Sequence, residues 1–191
     1  MKSTYFKEKG EKNTTKTLKL AYQAAIQSGI KTIVVASTRG DSALEAIKTF
    51  QDEAFQLIIV RHHSGFREGI ENEFPSEIMN GIIEKRPTTI FHTGSHAFAG
   101  LERSFRLAHN TMLPIEMLAI TLRRCFGEGT KVTMEMALMI SDAGLIVPTS
   151  DIICIAGTGL GLDTAWIVKP SYTNRLFDLK MKIPICKPEN F

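Results

Sequence analysis

The chain has 191 residues, of which 43% are apolar and 23% charged, and its formal net charge is +3. That length can bury one substantial core, and the composition is that of a globular protein rather than a fibrous or disordered one. Scattered basic residues at so small a net charge argue against a nucleic-acid partner, and no apolar run approaches membrane-spanning length.

In chain order, residues 3–8 predict a short edge strand and residues 10–12 a turn. Asn13 or Thr14 is placed to cap a helix whose Leu18, Ala21, Tyr22, Ala25 and Ile26 follow helical spacing, and Gly29 ends it. Residues 32–36 are a β-branched apolar run that reads as a buried strand. Helical spacing then resumes with Ala43, Leu44, Ala46, Ile47 and Phe50 and predicts a helix to about Glu53. Residues 57–60 give a second apolar strand, Pro75 and Ser76 open a helix that Pro87 closes, and residues 88–91 give a third strand. Strand, polar loop and helix thus recur three times, which argues for a parallel sheet with helical crossovers.

Residues 97–109 predict an amphipathic helix, Pro114 starts another that stops near Gly127, and a third runs from about Lys131 to Ala143. Its methionines, Met134, Met136 and Met139, read as core filling. Residues 152–156 and 165–169 predict two more strands. From Phe177 to Ile185 apolar residues fall on every second position, the pattern of a strand with one wet face near the sheet edge. No repeat, low-complexity run or linker divides the chain, so residues 1–191 are expected to form a single α/β domain. Cys125, Cys154 and Cys186 are widely spaced among apolar neighbours, which fits reduced, buried thiols better than a disulfide framework or a zinc site. The first residues lack the apolar core of a signal peptide, and a cytoplasmic location is expected.

Four polar loops follow apolar strands, and in a parallel sheet the carboxyl ends of the strands share one edge. These loops should therefore converge on one crevice. The first, Ser37, Thr38, Arg39, Gly40, Asp41 and Ser42, joins a strand to a helix start. Free N–H groups and the helix dipole favour an anion there, three hydroxyls and Arg39 add donors, and Gly40 lets backbone approach closely. Asp41 or Ser42 acting as a plain helix cap explains the same residues equally well.

The second and third loops carry His62 and His63, then His92, Thr93, Ser95 and His96. No acidic or cysteine partner stands at a recognised metal-ligand spacing, so these histidines read as pocket lining or loop hydrogen bonding rather than a metal site. The fourth loop contains Gly157, Thr158 and Gly159 and is followed by a strand, so it reads either as a hairpin turn or as a nest of N–H groups facing a ligand. Glu102 and Arg103 could reach the crevice or form a solvated helix face. With no Gly-x-Ser-x-Gly elbow and no cysteine beside a loop histidine, covalent catalysis has no support in the sequence.

Several stretches resemble a known family. Asn13-Thr14, Thr17-Leu18, Gly29-Ile30-Lys31 and Ile33-Val34-Val35-Ala36-Ser37-Thr38 are similar to the C-terminal domain of pyruvate kinase. Gly100-Leu101-Glu102-Arg103, Asp142-Ala143-Gly144-Leu145-Ile146, Ile155-Ala156-Gly157-Thr158-Gly159, Asp163-Thr164-Ala165, Phe177-Asp178-Leu179-Lys180 and Ile185-Cys186-Lys187-Pro188 are closer to stand-alone archaeal and bacterial pyruvate kinase-like proteins.

The resemblance covers nearly the whole chain. It implies a three-layer α/β/α sandwich with a mostly parallel sheet, and a phosphate held by Ser37, Thr38, Gly40 and Ser42. It also implies flavin mononucleotide (FMN) as the ligand of a flavoprotein, with Phe66 and Phe98 available for the flat ring. Arg39 and Asp41 depart from the pyruvate kinase loop, and Leu160 and Leu162 replace an Arg and an Ala common in the stand-alone proteins. No pyruvate kinase catalysis is expected, because a (β/α)8 barrel needs about 250 residues. The expected function is binding of a phosphorylated small molecule. A flavin-dependent oxidoreductase, a phosphate-ester transferase and a regulatory partner subunit are the alternatives, and homo-oligomerisation is left open.

Overall fold

Alternate residues of the central strands point to opposite faces, and each face is covered by its own set of helices. The computed structural model describes residues 2–191. Strand β1 is Thr4–Phe6, helix α1 Thr14–Ser28, β2 Thr32–Ala36, α2 Asp41–Thr49 and β3 Gln56–Arg61. They are followed by α3 (Ser76–Lys85), β4 (Ile90–Thr93), α4 (Glu102–His109), α5 (Pro114–Phe126) and α6 (Glu128–Asp142). Strands β5 (Ile152–Ala156), β6 (Thr164–Lys169) and β7 (Lys180–Pro188) complete the chain.

The seven strands form one sheet in the order β1-β7-β6-β5-β2-β3-β4. Parallel pairing joins β2 to β3, β2 to β5, β3 to β4 and β1 to β7; β6 runs antiparallel to both its neighbours. Ile33, Val35, Leu57, Ile59, Ile153 and Ile155 pack with Leu18 and Ala21 of α1, Ala43 and Ala46 of α2, and Ile82 of α3. Their alternates Val34, Ile58, Val60, Cys154 and Ala156 pack with Ala119 of α5 and Met136, Leu138 and Ile140 of α6. The result is a three-layer α/β/α sandwich with a mostly parallel sheet. Each fully buried aliphatic side chain contributes about 1.5–3 kcal/mol, so the two cores together outweigh any single polar contact. No helix among the described residues is long and apolar enough to cross a membrane.

Several boundaries differ from the sequence expectation, each for a tertiary reason. Helix α2 ends at Thr49, not Glu53, because Phe50 turns inward to meet Tyr22 and Phe55 at ring separations of 5.8 and 5.5 Å. Buried Arg86 then takes up the carbonyls of Phe50, Asp52 and Phe55. The 97–109 segment is helical only from Glu102, since the Phe98 N–H is given to Glu135 Oε1 at 2.8 Å. Helix α6 starts at Glu128, three residues early, and Gly129 brings its first turn against Thr164, where a Cβ would lie 2.3 Å from Oγ1. The alternating segment from Phe177 becomes a 3₁₀ turn first and a strand only from Lys180, with register shifts against β6. Phe177 is consequently 90% exposed.

Candidate functional site

A cavity of about 550 Å³ opens at the carboxyl ends of β2, β3 and β5, with one wall supplied by α5 and α6. The three parallel strands deliver their loops to one edge, as strand direction requires. Of the first loop, Ser37, Thr38, Arg39, Asp41 and Ser42 line the cavity. The cap position of α2 is held by Gly40, not by Asp41 or Ser42, and the Ala43 N–H is donated to Ser37 Oγ at 3.2 Å. The Ser37 hydroxyl keeps its own proton free to donate. Among the described residues, no acceptor is found for the N–H groups of Asp41 and Ser42, the usual orphans of a helix start.

Gly40 does not line the cavity. At φ +101° it holds a left-handed conformation, and a Cβ there would lie 2.8 Å from Ile78 Cγ2. Backbone geometry and the packing of α3 are therefore enough to require glycine at this position.

His62 and His96 line the cavity with Phe66 and Phe98. His62 stacks 4.0 Å from Phe66, and both His62 and His63 stand 5.3 Å from His96, centroid to centroid. His63 lies outside the lining and pairs its Nδ1 with the Ser64 carbonyl at 2.8 Å. His92 lies outside the lining too and fills the space that a side chain at Gly94 would need, and burial lowers its pKa. Thr93 and exposed Ser95 likewise stand outside the cavity wall.

The fourth loop is the connection of an antiparallel pair, β5 to β6, and it borders the cavity as well. Gly157, Gly159, Leu160 and Gly161 contribute to the lining. Thr158 does not: its N–H is donated to Asp163 Oδ2 at 3.2 Å. Thr14 Oγ1 accepts the Leu162 N–H at 2.9 Å, which ties this loop to the start of α1. A Cβ on Gly157 would meet the Gly161 carbonyl oxygen at 2.1 Å, so the glycines serve loop closure.

Sequence reasoning missed four charged residues here. Lys131 and Glu135 both line the cavity although they are 1% and 4% exposed, and they pair at 2.5 Å. The i, i+4 spacing on one helix face was readable, but nothing in it revealed that the face was buried. Arg61 follows a wholly apolar strand run and lies 5.6 and 5.9 Å from the Phe74 and Phe91 rings. Glu73, in the irregular segment before α3, is bonded to His62 and Arg67. Arg103 reaches the cavity and stacks 4.3 Å over Phe66. Glu102 instead accepts the Glu116 N–H, while Arg106 grips the Glu116 carboxylate at 3.0 and 3.1 Å.

Burial pushes the His96 pKa down to about 4, partly opposed by nearby Glu135 and reinforced by the positive fields of His62, Lys131 and His63. A histidine depressed from 6.5 in the folded state leaves the unfolded chain binding more protons between those values. Stability is expected to be complete above about pH 6.5 and to fall as pH drops towards 4, by on the order of 3 kcal/mol. Denaturant midpoints of the wild type and His96→Asn across this range check it. An acid limb of equal depth in the variant would assign the loss to other groups.

No group of three His, Cys, Asp or Glu side chains among the described residues is arranged to hold a metal ion. The arrangement offers an anion cradle beside apolar Phe98, Met136 and Met139. No family model matches the chain.

Proposed function

We propose that this protein binds a phosphorylated small molecule in the cavity, with FMN as the candidate ligand. One observation carries the reading: the α2 start, with Thr38, Arg39 and Ser42, opens into the same cavity as Phe66, Phe98, Met136 and Met139. Phosphate groups favour helix N-termini, and a flat apolar body favours an aromatic and thioether wall. A volume of about 550 Å³ lies within the range of small-molecule sites. The resemblance to stand-alone pyruvate kinase-like proteins points the same way, and we read the chain as one of them. A cytoplasmic home accords with two buried free thiols, Cys154 and Cys186, the pKa of the second pushed up to about 12 by burial; Cys125, expected to be buried as well, is exposed near the end of α5.

FMN is expected to bind the apo-protein at micromolar concentration or better, with riboflavin roughly ten- to a hundredfold weaker. That ratio corresponds to one or more charge-assisted hydrogen bonds of about 1.5–3 kcal/mol. Titration of both flavins, followed by flavin fluorescence, measures it. Equal affinities would remove the phosphate from the account, and no binding of either would remove the flavin.

A further inference from the structure

We propose that Thr38, His62 and Glu73 form a catalytic relay at the cavity mouth, which transfers the phosphoryl group of a phosphate monoester through Thr38 to water. This rests on the phosphorylated-ligand reading and goes beyond it, from binding to turnover. Three separate segments bring the groups together: the loop after β2, the end of β3, and the irregular segment before α3. Glu73 Oε2 stands 2.7 Å from His62 Nδ1, while its other oxygen is bonded to Arg67 Nε at 2.9 Å. The Glu73 side chain is only 6% exposed, so its carboxylate is a fixed anchor rather than a mobile surface group.

A carboxylate on Nδ1 holds the proton at that nitrogen and leaves Nε2 as an acceptor. Nε2 faces the Thr38 hydroxyl at 3.5 Å, and both residues line the cavity. A latch that merely fixed the 62–73 segment would need the Nδ1 bond alone. It would not require the opposite nitrogen to address a hydroxyl of the anion loop. The 3.5 Å separation is long for a hydrogen bond, as catalytic contacts are before substrate tightens them. A hydroxyl next to a base that is itself oriented by a third group is the general pattern of an activated nucleophile.

In the first step Thr38 Oγ1 attacks phosphorus, and its proton passes to His62 Nε2. The bond between phosphorus and the ester oxygen breaks, and the leaving alcohol takes the proton from His62. In the second step water gives a proton to His62 and attacks the phosphothreonine. The P–O bond to Thr38 breaks, inorganic phosphate leaves, and Thr38 recovers its proton from His62. Arg39 and Arg103, which line the same cavity, offset the charge that grows on the phosphoryl oxygens.

The test incubates the full chain with p-nitrophenyl phosphate and with FMN, following nitrophenolate and riboflavin release. FMN binding is measured in parallel. The wild type is expected to turn over at least one of them, and peptide mass spectrometry of quenched protein should find phosphate on Thr38. Thr38→Ala should fall to background while Thr38→Ser stays within about tenfold, and His62→Gln should lose roughly 10²–10⁴-fold. Glu73→Gln should lower kcat while leaving KM and FMN affinity nearly unchanged, because the imidazole loses the carboxylate that fixes its orientation and tautomer. Circular dichroism confirms that each variant is folded. FMN binding without turnover, or turnover undiminished in Thr38→Ala, overturns the relay and leaves the binding reading standing. Absence of both binding and turnover overturns the two together.

Discussion

Glu135→Ala is expected to destabilise the protein by about 3–5 kcal/mol, because it leaves the Lys131 ammonium buried without its counter-charge. Lys131 is 1% exposed and its Nζ lies 2.5 Å from Glu135 Oε2. The same carboxylate accepts the Phe98 N–H at 2.8 Å, so the variant also orphans a buried backbone donor. Burial already lowers the Lys131 pKa, with Glu135 opposing that trend. Without Glu135 the amine loses its proton more readily, and a neutral amine tolerates burial. The cost should therefore shrink as pH rises. Urea unfolding at two pH values tests this, with an unchanged m-value marking a loss of native-state stability. Pairing Lys131→Met with Glu135→Leu should restore most of the loss, since well-packed apolar pairs often replace buried ion pairs without penalty. A cost below about 1 kcal/mol, the level of an exposed pair, would mean that cavity water solvates both charges.

Asp163→Ala should cost about as much, roughly 4 kcal/mol, by a different route. This fully buried carboxylate accepts the Gly10 N–H at 2.9 Å, the Thr158 N–H at 3.2 Å and the Thr164 hydroxyl at 2.7 Å. Hydrogen bonds to a charged acceptor are each worth about 1.5–3 kcal/mol and are not additive. Asp163→Asn retains one oxygen and should lose about half as much. Amide exchange at Gly10 and Thr158 should accelerate in both variants, ahead of exchange in β5. Unchanged protection at those two amides would show that Asp163 does not hold the loop. The loop borders the cavity, so ligand affinity is expected to fall together with protection.

The apolar runs at residues 32–36, 57–60 and 152–156 made the central parallel strands legible, because buried strands need little more than unbroken β-branched residues. Glycine and proline marked the helix ends at Gly29 and Pro114, where backbone geometry alone decides. The convergence of the loops containing Ser37, His62, His96 and Gly157 followed from strand direction, and all four residues line the cavity. The α2 boundary was not legible, since it depends on Phe50 meeting Tyr22 and Phe55 from other elements.

That a side chain at Gly40 would collide with Ile78, thirty-eight positions away in the chain, is not legible in the sequence. Glu73 had no signal at all: it stands in an irregular segment, and only folding brings its carboxylate to His62. Lys131 and Glu135 looked like any solvated i, i+4 pair until α6 packed that face towards Phe98 and the cavity. Local sequence determines which segments become strands and helices, because periodicity and backbone conformation are short-range properties. Which charges meet, and which are stripped of water, is decided by contacts between elements far apart in the chain, and that information exists only in the tertiary structure.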